Sequence, residues 1–117
     1  MIKNKTGVWG ELFAVRYLRD NGYKILTSNY VCRFGEIDIV AMKDNIISFV
    51  EVKTRNEKTK IRPMEAVDAG KRSRLESAAK SFMGRTKIIS RTRFDVCEVY
   101  LDDADSFVSL NYIENAF

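Results

Sequence analysis

The sequence predicts an α/β fold, a mixed β-sheet of about five strands flanked by helices. Three observations predict it. Segments of helical period and segments of alternating period follow one another in the order α β β β α β β. Two of the strands, Glu36–Ala41 and Ile46–Lys53, are separated only by Met42-Lys43-Asp44-Asn45, as in a tight hairpin. A chain of 117 residues, 45% apolar and 31% charged, suffices for one compact domain over 1–117 with a buried core.

The first element is a helix over 7–21. Val8, Leu12, Val15 and Leu18 recur at helical spacing and are expected on its core face, with Thr6 as N-cap and Gly22 as the stop. Glu11 lies one turn before Val15, near that apolar face. Residues 24–32, rich in β-branched and aromatic side chains, form the first strand. The hairpin follows, turning on Asp44-Asn45. Residues 54–62 are polar and without period, which predicts a mobile loop, and Pro63 is expected to open a short turn. Asp68 then caps a helix over 69–83, with Leu75, Ala78, Ala79 and Phe82 on its core face and Gly84 at its end. Arg93–Leu101 is a strand, Asp102–Ser106 a turn, Phe107–Tyr112 a strand pairing back, and 113–117 a short tail.

Composition removes several classes of function. No apolar run approaches the roughly 20 residues needed to span a bilayer. The N-terminal lysines have no apolar segment behind them, so no secretory signal is expected and the cytoplasm is the expected location. The chain has no histidine, and its two cysteines, Cys32 and Cys97, are far apart, which excludes the usual zinc sites and any histidine base. Both cysteines sit among apolar neighbours and are expected as buried free thiols. A bound metal should therefore be a hard ion held by carboxylate oxygens. The net charge is +4. Lys53, Arg55, Lys58, Lys60, Arg62, Lys71, Arg72 and Arg74 crowd into one third of the chain, as either a solvated surface or a phosphate-binding one.

Alternation places Glu51 and Lys53 on one strand face and Glu36, Asp38 and Val40 on one face of the strand before it. If Asp44-Asn45 is a two-residue turn, Lys43 pairs with Ile46. Counting back then sets Asp38 opposite Glu51 and Glu36 opposite Lys53. Two carboxylates so placed repel unless a cation sits between them. A hard divalent ion would bridge them. The plainer alternative is that both acids lie on the solvent side of a hairpin, with Lys53 a surface lysine paired to Glu36. Against it, Asp and Glu are disfavoured in strand interiors, yet here they interrupt two apolar strands.

These residues carry a resemblance. Gly10-Glu11, Gly35-Glu36-Ile37-Asp38-Ile39-Val40-Ala41 and Phe49-Val50-Glu51-Val52-Lys53-Thr54-Arg55 resemble the YraN-like family of small bacterial proteins. So do Gly22 to Leu26 and Arg93-Phe94-Asp95-Val96. That family is similar to Holliday-junction resolvases and to restriction-endonuclease-like folds with an Asp…Glu-x-Lys signature. Val31 and Phe34 depart from it, standing where a basic residue and a glycine are common. The resemblance implies a restriction-endonuclease-like nuclease domain dependent on Mg2+ or Mn2+ and acting on DNA, branched or structured DNA included. Asp38, Glu51 and the Val52 carbonyl would hold the ion, which would polarise the scissile phosphate and acidify a bound water. Lys53 would orient or deprotonate that water or stabilise the transition state. Glu11 resembles the family's accessory acid, and a helix carboxylate at the rim of the core is its equal alternative. Arg33, Arg55, Lys71, Arg72 and Arg74 would meet backbone phosphates. Related resolvases cut as dimers, which adds a homodimer to the expectations. Two other readings stay open: a nucleic-acid-binding module of the same fold that cuts poorly or not at all, and a scaffold whose acid pair binds an ion for stability.

Overall fold

Helix α1 spans Lys5–Asp20, strand β1 Lys24–Cys32, β2 Gly35–Lys43, β3 Ile46–Asn56, helix α2 Ala69–Thr86, β4 Arg91–Leu101 and β5 Phe107–Ile113. The computed structural model describes residues 5–59 and 69–117. The strands form one sheet in chain order, β1-β2-β3-β4-β5. β3 and β4 run parallel, joined by the crossover that contains α2, and the other neighbours are antiparallel. The sheet is mixed and five-stranded, as predicted.

The helices cover opposite faces. Ile47 and Phe49 of β3, with Ile37 and Val40 of β2, pack against Leu75, Ala78, Ala79 and Phe82 of α2, the four residues its period predicts. Val50, Ile39, Ala41, Cys97, Val99 and Leu101 pack against Ala14 and Leu18 of α1. Alternation along β3 sends its odd residues toward α2 and its even ones toward α1.

The expected core face of α1 needs correction. Leu18 is buried and Val15 half-buried, but Val8 and Leu12 are 47% and 55% exposed. The buried residues are Gly10, Glu11, Ala14 and Leu18. Small side chains face inward because the helix lies close on the sheet: a methyl at Gly10 would collide with the Thr54 side chain of β3. Thr6 is not the N-cap. It lies inside the helix, and its hydroxyl donates to Asp105 at 3.2 Å. Gly22 does stop the helix. With φ +87° it lets Tyr23 N donate to Leu18 O (2.9 Å) and Gly22 N to Arg19 O (3.1 Å), the pair of bonds that satisfies a helix C-terminus.

The Asp44-Asn45 turn has φ +52° and +61°, the paired left-handed conformation of a two-residue hairpin. Residues 54–56, expected in a loop, instead extend β3, because β4 pairs with them as far as Asn56–Leu101. A short 3-10 turn, Glu57–Thr59, follows. The expected loop at 60–62, the Pro63 turn and the Asp68 cap lie outside the described residues. Gly84 does not end α2, which runs on to Thr86. The left-handed residue after that end is Lys87 (φ +56°), whose N–H donates to Met83 O at 2.9 Å. Cys97 is fully buried, and burial pushes its thiol up to about 12, whereas Cys32 is only half-buried.

One buried acid ties the C-terminal part of the sheet together. Asp95, 0% exposed, accepts from Arg93 Nε (2.8 Å) and Nη2 (2.9 Å), from the Tyr112 hydroxyl (2.6 Å) and from Asn115 N (2.9 Å). Arg93 Nη2 also donates to Tyr23 Oη at 2.8 Å and Ser48 Oγ at 3.1 Å. The tail closes over the sheet, with Ala116 N bonded to Phe94 O and Phe117 stacked on Phe94.

Candidate functional site

β2 and β3 begin as a regular hairpin. Pairing starts at Lys43–Ile46 beside the turn and runs to Ile39–Val50, the register that a two-residue turn dictates. One step further, Asp38 would stand opposite Glu51. There the ladder stops, and Asp38 Oδ2 accepts the Val52 backbone N–H at 2.8 Å. Beyond that point β2 stays with β1 as far as Gly35, and β3 stays with β4 as far as Asn56. The expected pairing of Glu36 with Lys53 is therefore corrected: the strands part, and the partner of Lys53 is Glu98 on β4.

A cavity of about 400 Å3 occupies this fork, lined by Glu36, Asp38, Glu51 and Val52 from the strands and by Lys71, Arg74 and Leu75 from α2. The two acids are not on an open solvent face. Asp38 is 8% exposed and the Glu51 side chain 13%. Lys71 Nζ lies 2.8 Å from Glu51 Oε1, and Lys53 Nζ lies 3.8 Å from the same oxygen. Burial and then the Asp38 charge push the Glu51 carboxyl above its ordinary value, against the pull of Lys71 and Lys53. Burial and then the neighbouring Lys71 ammonium push the Lys53 amine down.

Of the other predicted residues, Glu11, Arg55, Arg33 and Arg72 lie apart from this group, and Lys71 and Arg74 belong to it. Glu11 is buried on α1, on the other side of the sheet, and does not line the cavity. Arg55, expected to meet phosphate, points its guanidinium at buried Glu98, Nε to Oε2 3.5 Å, and its Nη2 is shut off from solvent. Arg33 and Arg72 are exposed, stacked over Phe34 and Phe117 respectively. Arg74 reaches the cavity wall, and Lys71 enters the site itself. Glu98 was not foreseen. It is 3% exposed, accepts from Asn111 Nδ2 at 3.1 Å and sits between Arg55 and β5. Its signal was the one that marked Asp38 and Glu51, an acid interrupting an apolar strand.

The donors fit a hard cation. The N–H and C=O of one strand residue point to the same edge, so the Val52 carbonyl faces the fork along with its N–H. Two mutually repelling carboxylates and a carbonyl suit an ion that keeps several of its waters, as Mg2+ does. Among the described residues there is no group of three or more His, Cys, Asp or Glu side chains that could hold a metal ion by themselves.

Fold and site together define a small α/β protein with an Asp–Glu–Lys cluster where two strands part. A family model described as "Uncharacterised protein family UPF0102" matches residues 10–99, and the chain belongs to that family, the one resembled above as YraN-like. It is similar to the UPF0102 protein of Moorella thermoacetica, 42% identical over 118 residues and covering 100% of this chain and 98% of the relative. The UPF0102 protein of Caldicellulosiruptor saccharolyticus is also 42% identical, with 100% of both chains covered. That of Clostridium perfringens is 41% identical over 112 residues, covering 95% of this chain and 92% of the relative. Among the described residues no helix is long and apolar enough to cross a membrane.

Proposed function

We propose that this chain is a divalent-metal-dependent endonuclease that hydrolyses DNA phosphodiester bonds, with branched or structured DNA as the candidate substrate. The observation that carries the reading is the convergence of Asp38 and Glu51 at the end of the β2–β3 ladder, with Lys53 3.8 Å from Glu51. Asp38, Glu51 and the Val52 carbonyl would hold Mg2+ or Mn2+. A bound ion of this kind supplies Lewis acidity toward a phosphate oxygen and toward water. Asp38 keeps its carboxylate aimed into the fork through its bond to Val52 N. Lys53, its amine pushed down by burial and by Lys71, is suited to take a proton from water or to face the developing phosphate charge. Lys71 and Arg74 would receive phosphate oxygens from the α2 side. Arg33 and Arg72, both exposed, would add outer backbone contacts, with the cytoplasm as the site of action. Glu11, buried on α1 against the opposite face, stands outside this scheme.

A homodimer fits the reading. Trp9, Phe13 and Phe107 form a continuous aromatic strip. Exposed Val8, Leu12 and Val108 extend it beside the uncharged edge strand β5, and a second copy would cover it.

The test is incubation with linear, single-stranded and four-way-junction DNA, with Mg2+ or Mn2+ and with chelator. We expect ion-dependent cutting that is lost in Glu51→Ala and falls by roughly 10²–10³-fold in Lys53→Ala. The second reading, a DNA-binding module that does not cut, is favoured by the ammonium of Lys71 lying on Glu51. Tight binding without cutting on every substrate would establish it in place of the nuclease.

A further inference from the structure

Glu51 Oε1 has two ammonium neighbours of different kinds. Lys53 shares its strand face and stands 3.8 Å away. Lys71 comes from α2, across the cavity, and makes the shorter contact of 2.8 Å. Its four-carbon stem is flexible and its side chain is 31% exposed, so its head has room to move. An ion bound to Glu51 with Lys71 still in place would bring two positive centres together over one oxygen. Lys71 also stands beside Arg74 on the wall that faces both carboxylates, where an incoming phosphate would lie.

We propose that Lys71 is an exchangeable counter-ion: it leaves Glu51 when a divalent ion takes that carboxylate and carries its ammonium to a phosphate oxygen of the DNA. The inference rests on the metal-site reading above. It gives Lys71 a role that Arg72 and Arg74 do not share. Ion and DNA become coupled through one side chain, since the ion frees the lysine and the phosphate receives it. Without DNA, Lys71 opposes the ion; with DNA, it supports both ligands.

The experiment is calorimetric titration of Mn2+ into the full chain, alone and with a non-cleavable phosphorothioate DNA duplex. Wild type is compared with Lys71→Met, Arg74→Met and Asp38→Asn. Thermal melts establish that each variant is folded, and Met keeps the stem of Lys71. Lys71→Met should bind Mn2+ alone about tenfold more tightly than wild type, and DNA should no longer tighten the ion. Arg74→Met removes a cation from the same wall and reads the general charge relief, and should tighten Mn2+ alone by clearly less than Lys71→Met does. Equal or weaker Mn2+ binding by Lys71→Met, with Asp38→Asn abolishing it, overturns the exchange while leaving the metal site standing. Equal tightening by Arg74→Met also overturns the exchange, since general charge relief would then explain both. Absence of Mn2+ binding by wild type and Lys71→Met alike removes the metal-site reading and this inference together.

Discussion

Asp95 and the Asp38–Glu51 pair are buried acids of the same sheet, and their surroundings differ. Asp95 is completed by its own chain: a guanidinium grips both oxygens, and a phenol and a backbone N–H add further bonds. Asp38 and Glu51 are set beside each other where a ladder stops, at a cavity, and the charge of one works against the other; the cation nearest Glu51 is the partly exposed Lys71 on the cavity wall. A buried charge whose partners are all internal holds the fold together. Two like charges side by side at a cavity are disposed toward a cation from outside.

The largest effect should come from breaking the closed cluster. Asp95→Ala takes the buried carboxylate from the Arg93 guanidinium, leaving the exposed Glu114 3.5 Å away as its acidic neighbour, and frees the tail at Asn115; it should cost about 3–5 kcal/mol in urea unfolding. The variant should still bind Mn2+ at the fork wherever it is folded. A loss under about 1 kcal/mol would mean that the cluster carries little of the stability attributed to buried pairs.

The open cluster should respond in the opposite way. At an ion concentration about one hundred times the dissociation constant, wild type should gain ~2.7 kcal/mol of unfolding free energy. Asp38→Asn should gain none and should fold at least as well as wild type without the ion, because one of two repelling charges is gone. Melting with and without Mn2+ measures both. A metal-induced rise that survives in Asp38→Asn would place the ion elsewhere.

What was legible in the sequence follows the same division between local and long-range information. The parity of Asp38 and Glu51 could be counted because a two-residue turn fixes the register of everything behind it, and Asp44-Asn45 is such a turn. The core face of α2 was legible because a single apolar stripe had nowhere else to go. The face of α1 was not, since the helix has two candidate stripes. Val8 and Leu12 form the more apolar one, but close approach to Thr54 selects the smaller side chains of Gly10 and Ala14. The parting of β2 and β3 was invisible as well, because it depends on β1 and β4 each holding one strand beyond the last hairpin pair. Lys71 could be counted among the basic residues, but its arrival at Glu51 depends on where the crossover sets α2 down.

A smaller effect separates the clusters by pH. Burial and Asp38 hold the folded-state pKa of Glu51 above its unfolded value. A carboxyl shifted up favours the folded state while protonated, and that contribution is lost as pH rises from the ordinary glutamate range through the raised folded value. Glu51→Gln removes the titration. The stability of wild type minus that of Glu51→Gln, from urea curves across this window, should therefore fall as pH increases, then level off. A difference that rises with pH would mean that the two lysines outweigh burial and Asp38, and that Glu51 is at rest as an ordinary salt-bridged acid.

The smallest effect should come from an ion pair that looks strong by distance alone. Lys58 Nζ lies 2.7 Å from Asp103 Oδ2, slightly closer than Lys71 to Glu51. Each partner shifts the other in the usual sense, Lys58 up and Asp103 down. Both side chains are 70% exposed or more, however, so water and salt screen the attraction and the ordering of two free side chains opposes it. Lys58→Ala should leave the melting midpoint unchanged within error at moderate salt, and should leave Mn2+ affinity unchanged as well. A measurable loss in either would mean that the turn after β3 is coupled to the fork, and that distance rather than burial ranks the charges of this molecule.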